Sequence, residues 1–252
     1  MGQFFLKRAL GAAALALVLA STQGVQAEQL ISNGSFEMGF SDWTVLNQTG
    51  SAGNWFLQTG TTSPDGPPTF TVPAPPEGSF AAMTAGPSAG SHVLYQDFVV
   101  PVEGITAATF SFERFIGNRN SAGAFSTPNT LDFNVFPNQQ ARVDIITTTA
   151  NPFSVASGDV LLNLFQTMVG DPPVSGYTLQ TNDLTSFLAG RAGQTLRLRF
   201  AEVDNQSPFQ FGVDSVSLQV TPIPEPASLV LMGLGGLGLL VYGWRGRKAA
   251  KS

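Results

Sequence analysis

The sequence predicts an all-β protein built on a single antiparallel β-sandwich of roughly eight to ten strands. Three observations carry this expectation. Apolar and polar residues alternate with period two over several short runs. Segments dense in Gly, Pro, Ser and Asn separate those runs, in a chain with 27 Gly and 17 Pro. The composition is also that of strands: 20 Phe stand among many Thr and Val, and only 12% of residues are charged.

The clearest strand is GQTLRLRFAEV at 193–203. Leu196, Leu198 and Phe200 face one way there, and Thr195, Arg197 and Arg199 the other, as in a half-buried strand. Similar runs are HVLYQDFVV (92–100), ATFSFERF (108–115), LDFNVF (131–136), ARVDIIT (141–147) and FQFGVDSVSLQV (209–220). Gly, Pro and Asn mark loops at 61–78, 118–129 and 170–176. SGDVLLNLFQTMV (157–169) fits a buried strand or a short helix equally well. No repeat of fixed period is present.

Both ends differ from this middle. Residues 1–27 place Lys7 and Arg8 before an apolar run at 9–20 and end on Val25-Gln26-Ala27. That is the pattern of a secretory signal peptide cleaved after Ala27, and twelve apolar residues are too few to span a bilayer. At the other end, residues 227–244 carry no charge. As a helix they span roughly 27 Å, enough for a transmembrane segment. Arg245, Arg247, Lys248 and Lys251 follow, and positive flanks stay cytoplasmic. The expected organisation is a signal peptide at 1–27, a sandwich domain at 28–221 and a C-terminal segment at 222–252. That segment comprises the transmembrane helix at 227–244 and a basic tail at 245–252.

Charge narrows the partners. Residues 28–221 hold six Arg, no Lys and sixteen acidic residues, a net charge of −10. Nucleic acid and anionic lipid headgroups repel such a surface, whereas oxygen-ligated cations such as Ca²⁺ suit it. With no Cys, disulfides, thiolate nucleophiles and Cys-ligated zinc are excluded.

Catalytic patterns are weak. GPSAG (86–90) matches Gly-x-Ser-x-Gly, but that chemistry needs a strand-to-helix turn and a distant His. Here a strand follows, and the chain's single His, His92, lies four residues from Ser88. GPSAG therefore reads as a turn, and no catalytic residue is assigned. The chain is expected not to be an enzyme. The alternative is a polysaccharide-remodelling hydrolase using a carboxylate pair, although no spacing favours a particular pair.

Two resemblances add to this reading. Pro224, Glu225 and Pro226, then a Gly/Leu-rich span, then an Arg/Lys cluster resemble the PEP-CTERM sorting signal of Gram-negative bacteria. The resemblance implies recognition and cleavage near the motif by a membrane protease-transpeptidase, exosortase, after a transient stay in the inner membrane. It also implies delivery to the cell surface or extracellular matrix, in association with exopolysaccharide and biofilm. LISNGSFEMGFSDWTV (30–45) and FGVDSVSLQV (211–220) resemble the opening and closing strands of galactose-binding-like jelly rolls, common among carbohydrate-binding modules. That likeness implies a jelly-roll sandwich in which Glu37 and Asp214 hold a structural Ca²⁺. On the residues alone, Glu37 could equally cap a turn, and Asp214 could pair with an Arg or a backbone amide.

Aromatic side chains can act as sugar platforms, although in a sandwich most are core. Trp43 is expected in the core, and Trp55 and Tyr95 are the candidate glycan-binding residues. The function expected is an exported, non-catalytic sandwich protein with a structural or adhesive role in exopolysaccharide or biofilm and with affinity for glycan.

Overall fold

A computed structural model describes residues 26–64, 66, 68–119 and 124–223. Residues 27–221 form one compact unit. It contains the strands β1 (Glu28–Gln29), β2 (Thr44–Asn47), β3 (Asn54–Gln58), β4 (Ala81–Ala85), β5 (Gly90–Val99) and β6 (Ile105–Asn118). Then follow β7 (Gln139–Thr147), β8 (Val160–Gln166), β9 (Thr178–Asp183), the one-turn helix α1 (Thr185–Ala189), β10 (Thr195–Asp204) and β11 (Phe209–Pro222).

These strands make two antiparallel sheets. One runs β3-β4-β11-β6-β9, with β1 also paired to β11, and the other runs β2-β5-β10-β7-β8. The chain changes sheet at most of its connections, as in a jelly roll. The fold is thus the all-β sandwich that the alternation predicts.

Period-two alternation places the core. Leu94 and Phe98 of β5 and Leu196, Leu198 and Phe200 of β10 point inward from one sheet. Phe110 and Phe112 of β6 and Phe211 and Val213 of β11 meet them from the other. Phe200 joins the layers, with ring centroids 5.4 Å from Phe112, 5.9 Å from Trp43 and 6.4 Å from Phe211. Trp43 is in the core, and its Nε1 donates to the Asn33 carbonyl at 3.0 Å.

The segment at 131–136 corrects the sequence reading, for it is a turn rather than a strand. Asp132 is the cause: its Oδ1 accepts the Asn134 amide at 2.9 Å, a local bond that competes with a ladder. Leu131 is buried against Val93, Ala201 and Val203, while Phe136 is 73% exposed. The ambiguous run at 157–169 contains the edge strand β8, paired to β7 across two register shifts. GPSAG is a bend leading into β5.

No helix among the described residues is long and apolar enough to cross a membrane. The expected span at 227–244, residues 1–25 of the expected signal peptide, and Pro224, Glu225 and Pro226 lie outside the described residues. Ala27 is exposed just before β1.

Candidate functional site

On the outward face of the second sheet, β5 and β10 pair with Asp97 opposite Arg197. The Arg197 guanidinium donates to both Asp97 oxygens, from Nε at 2.6 Å and from Nη2 at 2.9 Å. It also stacks on Tyr95, its carbon 4.0 Å from the ring centroid. Asp97's hydrogen bond raises the pKa of Arg197 further, although partial burial opposes it.

This trio lines a groove of about 420 Å³ together with Ser32, Asp42, Thr44 and Gln96. Gln96 fixes the far wall. Its Oε1 accepts the Ser32 amide at 2.8 Å, and its Nε2 donates to the carbonyls of Ser32 and Asp42, both at 3.0 Å. A half-buried aromatic ring capped by a guanidinium, an ion pair and small hydroxyls give the groove a mainly polar lining of donors and acceptors. Hydroxyl-rich ligands such as sugars match the donors and acceptors of that lining.

Of the candidate glycan residues Tyr95 lines this groove, and its neighbours there, Asp97 and Arg197, were not singled out from the sequence. The available signal was parity: Tyr95 and Asp97 are two apart on β5, and Arg197 is outward in the alternation of β10. What the sequence lacks is the register that sets Asp97 against Arg197.

Trp55 requires a correction. Rather than exposed, it is 1% accessible, with its ring 5.8 Å from Phe211 in the core. In NWFLQ the burial pattern puts Trp55 and Gln58 fully inside, so the ring cannot serve as a surface platform.

Glu37 and Asp214 converge on one loop. Glu37 Oε1 accepts the amides of Ser79 at 2.8 Å and Phe80 at 2.9 Å. Asp214 accepts the Glu77 amide at 3.0 Å through Oδ2 and the Ser215 amide at 2.7 Å through Oδ1. Asp214 is fully buried. Burial, opposed by the two amides and reinforced by the Glu77 and Glu37 charges, leaves its pKa raised to about 7.

The Asn33-Gly34 turn places Glu37. Asn33 adopts φ +50°, and its Nδ2 donates to the carbonyls of Gly39 and Ser41, each at 2.9 Å. A Cβ on Gly34 would lie 1.9 Å from the Val216 carbonyl oxygen, so only Gly lets this turn reach β11.

The PEP-CTERM protein-sorting motif model matches residues 222–248. Such a motif implies export and membrane processing by that sorting route. No curated protein matches the chain in sequence. Among solved structures, the carbohydrate-binding module TmCBM61, in complex with β-1,4-galactotriose, is similar at 10% identity and a TM-score of 0.43, over 76% of this chain and 97% of that one. The Stig cyclase Fisc from Fischerella sp. TAU is similar at 16% identity and a TM-score of 0.44, over 79% and 100%. A cleaved adhesin domain of Lys-gingipain from Porphyromonas gingivalis w83 gives 14% and 0.42, over 77% and 99%. These proteins differ in what they do, so function is argued from this chain's own residues.

Proposed function

We propose that the sandwich is a non-catalytic glycan-binding protein of the cell surface or extracellular matrix. The Tyr95–Asp97–Arg197 groove is the observation that carries this reading, since it sets a half-buried aromatic ring among fixed polar groups on an open sheet face. Exosortase would process the tail, leaving the sandwich to act as a structural or adhesive component among exopolysaccharide in a biofilm.

Ca²⁺ fits Glu37 and Asp214 as a structural ion. Glu37 Oε2 has no bond to the loop that Oε1 holds, and burial beside other carboxylates favours neutralising Asp214. The ion would tie the opening turn and the closing strand to the loop at 77–80.

A glycan array followed by incubation with the bound polysaccharide tests the functional reading. Saturable binding without release of reducing ends is the expected result. Release of reducing sugar, lost on a single Asp or Glu substitution, would overturn it in favour of a hydrolase.

A further inference from the structure

A second constellation lies on the inward side of the same two strands. His92 of β5 stands directly opposite Glu202 of β10, and Gly90 opposite Asp204. The three side chains are almost fully buried, with relative exposures of 2%, 1% and 4%. One ligand atom from each lies within 4.8 Å of the other two.

Hydrogen-bond accounting fixes the orientation of His92 and leaves one carboxylate oxygen of the group, Glu202 Oε1, without a partner. Asn54 Oδ1 accepts the Trp55 amide at 2.9 Å, which fixes that atom as oxygen. The Asn47 atom 3.0 Å from it is therefore the amide nitrogen, so Asn47 turns its oxygen to His92 Nδ1 at 2.7 Å. Nδ1 must then carry the proton. In a neutral ring Nε2 is left bare, yet it lies 3.1 Å from the carbonyl oxygen of Ala52, a pure acceptor. A neutral ring thus turns a lone pair on the Ala52 oxygen, whereas an imidazolium would donate to it.

Glu202 sharpens the case. Its Oε1 has no hydrogen-bond partner although the residue is 1% exposed, and a buried unsatisfied carboxylate is costly. Asp204 Oδ1 accepts the Gly90 amide at 2.9 Å, and the backbone amides of Phe209 and of Asp204 itself also bond its carboxylate. Gly90 itself is required, because a Cβ would lie 2.5 Å from His92 Nε2 and 2.6 Å from the Ala52 oxygen.

We infer that His92, Glu202 and Asp204, with the Ala52 carbonyl beside them, form a structural site for a divalent transition-metal ion of the Zn²⁺ type. An ion of charge +2 neutralises two carboxylates and gives the bare imidazole nitrogen an electrophile. Zn²⁺ takes one imidazole with carboxylate oxygens at about 2.0–2.2 Å, so donors that close around it need only small side-chain shifts. Ca²⁺ prefers six to eight oxygens and suits an imidazole poorly. The Nδ1–H bond to Asn47 is the outer contact that fixes the tautomer of a metal-binding His. The ion would staple the β2–β3 loop, which carries Ala52, to β5 and β10. This site is independent of the glycan groove on the opposite face of the sheet.

The test uses the full chain, purified in detergent without a polyhistidine tag, stripped with chelator and then offered Zn²⁺. One equivalent should be retained after desalting, and Tm should rise by roughly 5–10 °C at a hundredfold excess over Kd. Glu202→Gln and His92→Gln should each lower retention at least tenfold while leaving any response to Ca²⁺ intact. Zinc-edge X-ray absorption on the unsubstituted protein should show one imidazole among oxygen donors, a readout that survives if either variant fails to fold. Retention below a tenth of an equivalent with an unchanged Tm would overturn the inference and leave the group held by protons. Retention in both variants equal to that of the unsubstituted protein, or absorption without an imidazole, would also overturn it.

Discussion

Asp144 on β7 bears more charge contacts than any other described carboxylate. It accepts two bonds from Arg142, each at 2.7 Å, one from Arg199 and one from Asn163 at 2.8 Å. Arg199 in turn donates to the carbonyls of Pro152 at 2.7 Å and Ser154 at 2.6 Å, holding that loop over the sheet. Burial pushes Asp144's carboxyl up, but Arg142's bonds and the two guanidinium charges outweigh it and hold the pKa below the ordinary range. A depressed folded value gives stabilisation that is present above the ordinary Asp range and lost as pH falls through the folded one. Asp144→Asn should therefore cost about 3–5 kcal/mol in urea unfolding at neutral pH. The gap from the unsubstituted protein should shrink below pH 4 or so. Arg197 differs, because its partner Asp97 is exposed and the pair contributes only about 0–1 kcal/mol. Arg197→Ala should leave Tm within a few degrees while weakening glycan binding at least tenfold by calorimetry.

At the scale of elements, the turn at 33–43 and the strand β11 act together. The Val216 amide donates to the Gly34 carbonyl at 2.9 Å, and Ser215 adopts φ +51° beside Asp214. Gly34→Ala would drive a methyl into the Val216 backbone, and overpacking of this kind costs about 1–3 kcal/mol. Melting should register that loss, and it should also blunt any Ca²⁺-dependent rise in Tm, because the turn sets the position of Glu37. Asp214→Asn should abolish the Ca²⁺ response; an identical midpoint for chelated and Ca²⁺-loaded unsubstituted protein would contradict the ion. The strands β5 and β10 were legible from the alternation at their Phe98 and Leu196 ends, whereas further along a second cluster with Val93, Leu131, Ala201 and Val203 buries the outer face as well. The segment at 131–136 alternates too, but there a side-chain-to-backbone bond from Asp132 competes with the ladder, and alternation cannot report that. Trp55 was misread because a five-residue strand between glycine-rich loops gives no sign of which parity faces inward. His92, Glu202 and Asp204 meet through register, which pairs residues 110 positions apart in the chain.

Across the whole molecule, sequence spoke most plainly at the ends. The tripartite tail, which the sorting-motif model matches, is a local code needing neither register nor packing to be recognised. The candidate groove is the reverse, for Tyr95, Asp97 and Arg197 come together only once two strands pair. Intact-mass measurement of protein recovered from the surface of its own host should give a chain beginning at Glu28 and ending near Pro224 to Pro226. Retention of the basic tail through Ser252 in that pool would contradict processing. The central claim, that the outward groove on β5 and β10 binds glycan, is tested most directly by amide chemical-shift mapping during titration with a polysaccharide that the protein binds. The account predicts saturable shifts centred on Ser32, Thr44, Tyr95, Gln96, Asp97 and Arg197. Saturable binding whose shifts cluster elsewhere and leave these residues unmoved would contradict it.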